Sequence, residues 1–448
     1  MKILIIAMSD SIHTARWINQ IADEGWEIHL FPSIDVGLIN PELRNAIVYD
    51  YLYTKTPDKL HPKFTMRGIY IPFNPSGISN LLIRLIKLTL TRYFPTFYIH
   101  RLRYLIKKIK PDIIHSIEFQ HAGYLTLDVL HKPLNSITLC NVLKFLFQKF
   151  FKLTFIRLQQ QEQSKDTSTS FSLSRNRIVG ESSQWIVTSW GSDIYLYGRL
   201  NGHREKIKEL LTHCDFFSCG CSREIQLVKS LGFNKKILPV FPNTGGFDLE
   251  EVSKLRQPGP TSKRRLIMLK GYQHWAGRAL VGLRALERCA DLLEGYTIAI
   301  NIASPDVAIA AELFEKSTGI PVKIIHYGEH KEILRYHGQA RISIGLSISD
   351  GLPGSFLEAL VMGSFPIQSW TACADEWIEH GKTGILVPPE DPDVIEKAIR
   401  RALTDDELVN QAAERNYRLA EEKLDESILK PKAIEFYYKA ARGRGSIH

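Results

Sequence analysis

Short apolar runs alternate along the chain with stretches in which apolar positions recur at helical spacing, the pattern of parallel α/β units. In the first half the runs predict strands at Lys2–Ala7, Ile28–Pro32, Asp112–Ser116, Trp185–Ser189, Phe216–Cys219 and Lys236–Phe241. In the second half they predict strands at Arg265–Leu269, Thr297–Ile302, Val322–Tyr327, Ile342–Leu346, Phe365–Gln368 and Gly384–Val387. The first run is near-continuously apolar, as strands buried on both faces are. Residues 247–264 are polar and contain Gln257-Pro-Gly-Pro-Thr-Ser-Lys263, the composition of a linker. The reading is therefore α/β: two doubly wound, Rossmann-like domains facing a cleft. They span 1–246 and 265–425, and residues 426–448 form a helix expected to pack back towards the first domain, then a short tail. Ligands are expected at the carboxyl ends of the strands lining that cleft.

One region breaks the alternation. Residues 134–183 hold no α/β unit and read as an insertion in the first domain. Within it, 140–158 is crowded with Phe, Leu and Lys, and 159–183 is rich in Gln, Ser and Thr.

Composition adds three points. A chain of 448 residues exceeds what one ordinary core supports, which agrees with two domains. No run approaches the roughly 18 apolar residues of a membrane span, and the apolar start is too short for a secretory signal. The six cysteines (140, 214, 219, 221, 289, 373) suggest neither a metal nor a disulfide framework, Cys219-Gly-Cys221 being the one close pair. The expectation is a cytoplasmic protein with reduced thiols. The net charge of +9 is concentrated, since residues 59–111 carry 11 Lys/Arg and no Asp or Glu. An anionic membrane, phosphorylated substrates or nucleic acid could each answer that charge.

The chemistry is concentrated in Asp350-Gly-Leu-Pro-Gly-Ser-Phe-Leu-Glu358. Two carboxylates stand eight positions apart around a Gly/Pro turn and a helix start. Such a turn presents backbone N–H groups to an anion in front of the helix. With Glu358 expected on the first helical turn, the stretch suits a diphosphate flanked by hydroxyl groups, which describes a sugar nucleotide.

These residues resemble a retaining glycosyltransferase of family 4, with the GT-B fold, over nearly the whole chain. The E-x7-E pattern of that family is represented by Asp350 and Glu358, followed by Ala-Leu-Val-Met-Gly-Ser-Phe-Pro366. Further similar segments are Asp375–Pro389, Val240–Asp248, Thr188–Asp193 and Asp112–His115. The chain departs from the pattern in having Asp350 for the first Glu and Trp190 for the usual His of the acceptor-side loop. Two expected glycine pairs, near Ser9–Thr14 and Ser369–Thr371, are also missing.

The resemblance implies that Glu358 binds the ribose, Asp350 binds donor sugar hydroxyls at the reacting carbon, and Gly351, Gly354 and Ser355 lie against the diphosphate. Lys270 and Arg278 fit the family's phosphate clamp, in swapped order. It further implies that the acceptor attacks the face from which the diphosphate leaves, so Asp350 positions and stabilises charge. His115, Glu118 and His121 from one loop and Asp193 from another are the acceptor-side candidates, with His115 and His121 the candidates for chemistry. A buried histidine remains open for His115, and a helix cap for Asp193. No cofactor or metal is expected, because the D-x-D pair Asp391-Pro-Asp393 reads as a helix cap. A UDP-sugar is favoured over a GDP-sugar.

Positions His100, Arg103, Lys107 and Lys110 fall on one helical face, 81–94 is amphipathic, and 140–158 adds cations among aromatics. The three segments predict peripheral binding to an anionic membrane, on the inner face, and a glycan or lipid-linked acceptor. No nucleic-acid motif accompanies the charge. The expected function is synthesis of a cell-surface polysaccharide or glycolipid. A sugar-nucleotide 2-epimerase and a catalytically silent scaffold of the same fold are the alternatives.

Overall fold

The computed structural model describes residues 1–34, 39–50, 52–53, 64–70, 95–133, 177–326 and 330–442. The segments 81–94 and 140–158, and all of the 134–183 insertion before residue 177, lie outside the described residues. The chain divides into two compact units, Met1–Ala15 with Gly25–Ile186, and Arg16–Glu24 with Val187–His448. The sequence places its break instead at 247–264.

The first unit contains β1 (Lys2–Ala7), β2 (Glu27–Pro32), β3 (Ile47–Val48), β4 (Leu52–Tyr53), β5 (Thr65–Met66), β6 (Ile69–Tyr70) and β7 (Ile113–Ile117). It ends in β8 (Gln184–Thr188), at which the division falls. Its sheet runs β8-β7-β1-β2-β3-β5, with parallel pairing of β1 to β2 and β7, and of β3 to β2 and β5. Every residue of β7 and all but the first of β1 are buried, which is why both read as apolar runs. The two-residue strands β3 to β6 carry no such run and are not legible in the sequence.

Helix Pro95–Ile109 buries Leu102, Leu105, Ile106 and Ile109, as its periodicity predicts. Arg103 departs from the expected basic face. It is buried, and its guanidinium donates to the carbonyls of Val129 (2.8 Å), Asp128 (3.1 Å) and Lys132. The cation here satisfies the end of helix Tyr124–His131 rather than facing solvent.

The second unit holds the parallel pair β9 (Phe216–Ser218) and β10 (Lys236–Ile237). It also holds β11 (Leu266–Lys270), β12 (Thr297–Asn301), β13 (Val322–Ile325), β14 (Ala340–Gly345), β15 (Phe365–Ser369) and β16 (Ile385–Val387). These last six form one all-parallel sheet in the order β13-β12-β11-β14-β15-β16. Its core joins Ile267, Leu269, Ile298, Ile300, Ile342 and Ile344 to helix residues such as Leu286 and Ile399. Each such side chain contributes about 1.5–3 kcal/mol by leaving water. The strand order reverses between β11 and β14, the topological switch point at which open α/β sheets bind ligands.

The expected linker is packed. Residues 247–264 form helix Leu249–Ser253 and a 3-10 turn Thr261–Lys263, with Phe247, Leu249, Thr261, Ser262 and Arg264 buried. Polar composition misleads here because Arg264 donates to the carbonyls of Ala340 and Met362, and Thr261 to that of Gly363. The C-terminal helix Glu426–Arg442 packs on segment 16–24, where Trp17 donates its indole N–H to the Tyr437 hydroxyl at 2.8 Å. Phe436 and Phe241 close the cluster with ring centroids 5.3 and 5.4 Å from that of Trp17.

Candidate functional site

Of the expected donor residues, Lys270 and Ser355 line one cavity at the switch point, and Lys270 pairs with Asp350. Lys270 ends β11, Asn301 ends β12 and Gly345 ends β14. These three line a cavity with Ser355, His337 and Gln368. The chain then runs from β14 through Asp350 to helix Gly354–Met362, which starts after Pro353 and closes on Gly363 in the left-handed conformation. Phe356 to Met362 are all buried, so the helix is held from every side. Its first N–H groups lack partners within the helix and face the same end of the sheet as Lys270.

Lys270 Nζ donates to Asp350 Oδ2 at 3.0 Å. Burial alone would lower the lysine pKa, but the Asp350 carboxylate overrides it and raises it, keeping the ammonium charged. The other Asp350 oxygen accepts the Gly351 N–H at 3.0 Å. Glu358 falls just past the first helical turn rather than on it, because the helix begins at Gly354. It is buried, and Oε1 meets His330 Nε2 at 2.8 Å and Arg16 at 3.9 Å, while His337 stands 3.6 Å from Oε2. Burial pushes the Glu358 pKa up, yet the His330 hydrogen bond and the electrostatic pull of His330 and Arg16 bring it well below the usual carboxylate range. His337, driven down to about 4 by burial, is neutral. Glu358 is thus a fixed carboxylate at neutral pH.

Arg278 precedes helix Ala279–Arg288 and pairs with Glu390 at 2.8 Å. It also donates to the carbonyls of His274, Ala276 and Gly277, so it closes the loop 271–277. That loop is tied to the Asp350 approach, since Ile348 donates to Ala276 O and Arg278 N–H to Leu346 O. A row of rings leads outward from Lys270. The ammonium sits 5.0 Å from the Tyr272 ring centroid, and Tyr272–His274, His274–Trp275 and Trp275–Tyr197 follow at 5.4, 5.3 and 5.7 Å. Trp275 is 53% exposed.

Asp193 lies inside the short helix Ser192–Tyr195 and accepts the Trp190 N–H at 2.7 Å; it does not cap the helix, whose N-cap is Gly191. Its loop touches the loop that carries Asp350 and Gly351. Gly191 has φ +97°, and a Cβ there would stand 2.2 Å from the Gly351 backbone. Glycine is required on both counts. Asp391 caps helix Pro392–Thr404 through the N–H groups of Asp393 and Val394, and Asp393 pairs with Arg288.

In the first unit, His115 lies within β7 with no exposed surface, and burial drives its pKa down to about 3. The Glu118 carboxylate accepts the N–H groups of His121 and Ala122 and caps the turn Phe119–Gly123, at the unusual φ of 72°. His121 Nδ1 stands 3.3 Å from Glu118 Oε2, and its side chain is half exposed.

Sequence reasoning missed Arg16, Arg223, Glu224, His330 and His337. Arg16, Arg223 and His330 carry no local signal, because they reach Glu358, Asp350 and Thr371 across long stretches of chain. Arg223 donates to the carbonyls of Asp350 (2.5 Å) and Thr371 (2.8 Å) and stacks over Tyr195. Glu224 is buried, and burial together with Asp193 pushes its pKa up to about 8. The expected absence of a disulfide is overturned: Cys221 and Cys373, 152 positions apart, are joined. Cys214, Cys219 and Cys289 are free and buried, while Cys140 lies outside the described residues. No helix among the described residues is long and apolar enough to cross a membrane.

The family described as Glycosyl transferases group 1 matches residues 311–419, which include Asp350 and Glu358. No curated protein matches the chain in sequence. Sucrose-phosphate synthase from Thermosynechococcus elongatus is similar in structure, with TM-score 0.61, 13% identity and 98% of each chain covered. The Anabaena protein HepE in complex with UDP-glucose gives TM-score 0.60 at 13% identity, covering 98% of this chain and 100% of that one. A UDP-forming α,α-trehalose-phosphate synthase from Burkholderia xenovorans, in complex with glucose-6-phosphate, gives 0.59 at 12% identity, covering 98% and 100%. The chain has the GT-B fold, and the family match supports a glycosyltransferase.

Proposed function

We propose that the protein is a retaining glycosyltransferase that moves a sugar from a UDP-sugar to a glycan or lipid-linked acceptor. One observation carries this reading: the Lys270–Asp350 ion pair and Glu358, ionised at neutral pH, flank one helix N-terminus at the sheet's switch point. Glu358 is suited to accept hydrogen bonds from the ribose, with His330 fixing its orientation. Lys270 and the Gly354–Ser355 N–H groups suit the diphosphate, whose β-phosphate gains charge as the bond breaks. That leaves Asp350 to hold the sugar hydroxyls near the reacting carbon. The acceptor attacks from the face of the leaving group, and the departing phosphate takes the acceptor proton. Arg278 joins the phosphates by exchanging its Glu390 partner. These cations supply the charge that a metal supplies elsewhere, so activity is expected to survive chelation. The Tyr272–Trp275 rings offer apolar faces on which acceptor sugars stack.

The likeness to HepE, whose described complex contains UDP-glucose, favours UDP as the donor nucleotide. The exposed Lys107 and Lys110 agree with an anionic membrane surface, although they belong to a single helix end. The test is a panel of UDP- and GDP-sugars with chelator present, scored for donor turnover, transferred product and anomeric configuration by NMR. A UDP-sugar turned over with retention supports the reading. Inversion, metal dependence or an epimerised nucleotide each overturns the corresponding part.

A further inference from the structure

The Cys221–Cys373 bond lies directly behind the donor loop. Cys221 immediately precedes helix Ser222–Ser230, and Cys373 opens the turn Cys373–Glu376. The Cys373 N–H donates to the Gly351 carbonyl at 2.8 Å. Non-covalent ties run parallel to the bond. Glu376 accepts the N–H groups of Ser222 and Arg223 at 2.9 and 3.0 Å, and Arg223 holds the Asp350 and Thr371 carbonyls. The loop that carries Asp350 and Gly351 is thus fastened to helix Ser222–Ser230 by one covalent link and several hydrogen bonds. Both sulfurs are fully buried, and Glu224 Oε1 stands 3.4 Å from Cys221 Sγ.

We infer that the Cys221–Cys373 pair is a redox-controlled fastener of the donor loop, closed as a disulfide and released by a dithiol reductant. In the release step a reductant thiolate attacks one sulfur, breaking the Cys221–Cys373 bond and forming a mixed disulfide. The second thiol of the reductant then displaces that cysteine. Two electrons and two protons pass to the protein, leaving two cysteine thiols and an oxidised reductant. Because the sulfurs are buried, release requires local opening of the 371–376 turn. With the link broken, the loop keeps its hydrogen bonds but is less pre-organised, and a nucleoside diphosphate binds more weakly.

The consequence for binding rests on the UDP-sugar reading; the link itself does not. The experiment uses the full chain, before and after dithiothreitol, with three readouts. Peptide mapping without reductant is expected to recover Cys221 and Cys373 in one cross-linked species. Amide exchange of residues 350–358 is expected to speed up on reduction. The dissociation constant for UDP is expected to rise about fivefold, a pre-organisation effect. Cys373→Ser, with Cys221→Ala as a second variant should the first fold poorly, is expected to behave as the reduced protein and ignore dithiothreitol. Both cysteines recovered as free thiols, or as ligands of a co-purified zinc ion, would overturn the inference. So would unchanged exchange on reduction. UDP that fails to bind either form would instead overturn the donor reading, while mapping and exchange still decide the fastener.

Discussion

The carboxylates Glu358 and Glu118 make the most instructive pair in the molecule. Both are buried and both meet a histidine, at 2.8 Å for His330 and 3.3 Å for His121. Glu118 spends its oxygens on the N–H groups of its own turn, and the strained backbone there is held by those bonds. Glu358 makes no such cap. It is ionised by partners from elsewhere in the chain, at the mouth of a parallel sheet. A carboxylate satisfied by its own backbone is architecture, whereas one held charged by distant side chains is available to a ligand. The same contrast separates His115, sealed in β7, from Lys270, which ends its strand beside Asp350.

The largest effect expected from this contrast is on Lys270. Lys270→Ala removes the cation proposed to hold the phosphates and should lower turnover about a hundredfold or more, read by donor consumption. Trp275→Ala should raise the acceptor KM about tenfold while leaving UDP affinity unchanged, in line with lost ring stacking. On the structural side, Glu118→Ala should cost about 1–2 kcal/mol in urea unfolding through the lost cap. His121→Ala should keep turnover within about twofold, since in the proposed mechanism the leaving phosphate takes the proton and no protein base is needed. A hundredfold loss there would break the comparison.

A smaller effect concerns Glu224. Its folded pKa of about 8 lies above the unfolded value of about 4.3, so the folded state holds the extra proton between those limits. Stability is therefore full below about pH 4.3 on this account and falls as pH rises towards 8. Glu224→Gln should flatten that slope in urea unfolding at pH 6 and 8. Glu358 has the opposite sign. Its depressed pKa stabilises the fold above about pH 4.3, and that contribution is lost as acid protonates it.

Much of the fold was legible because parallel strands buried on both faces leave apolar runs, as in β1, β7, β11 and β14. The two-residue strands β3 to β6 lie in no such run and were missed, whereas the equally short β10 was found because it opens the apolar stretch 236–241. Burial of a cation by backbone carbonyls, as at Arg103 and Arg264, leaves no trace in a polar/apolar pattern. Of the site, the Asp350–Glu358 stretch was readable because its parts are local in sequence. His330, Arg16 and the Cys221–Cys373 link were not, since their partners lie 28 or more positions away. His115 carried the right residue type at a strand position, but only the register places it inside the sheet.

The central claim is that the donor nucleotide sits between Lys270 and Glu358. Isothermal titration of UDP into the protein and into Glu358→Gln, at matched pH and salt, tests it most directly. Saturable binding by the protein, weakened at least about tenfold in the variant by loss of a charged hydrogen bond, is the predicted result. Equal affinity in the two, with both folded by circular dichroism, would contradict it.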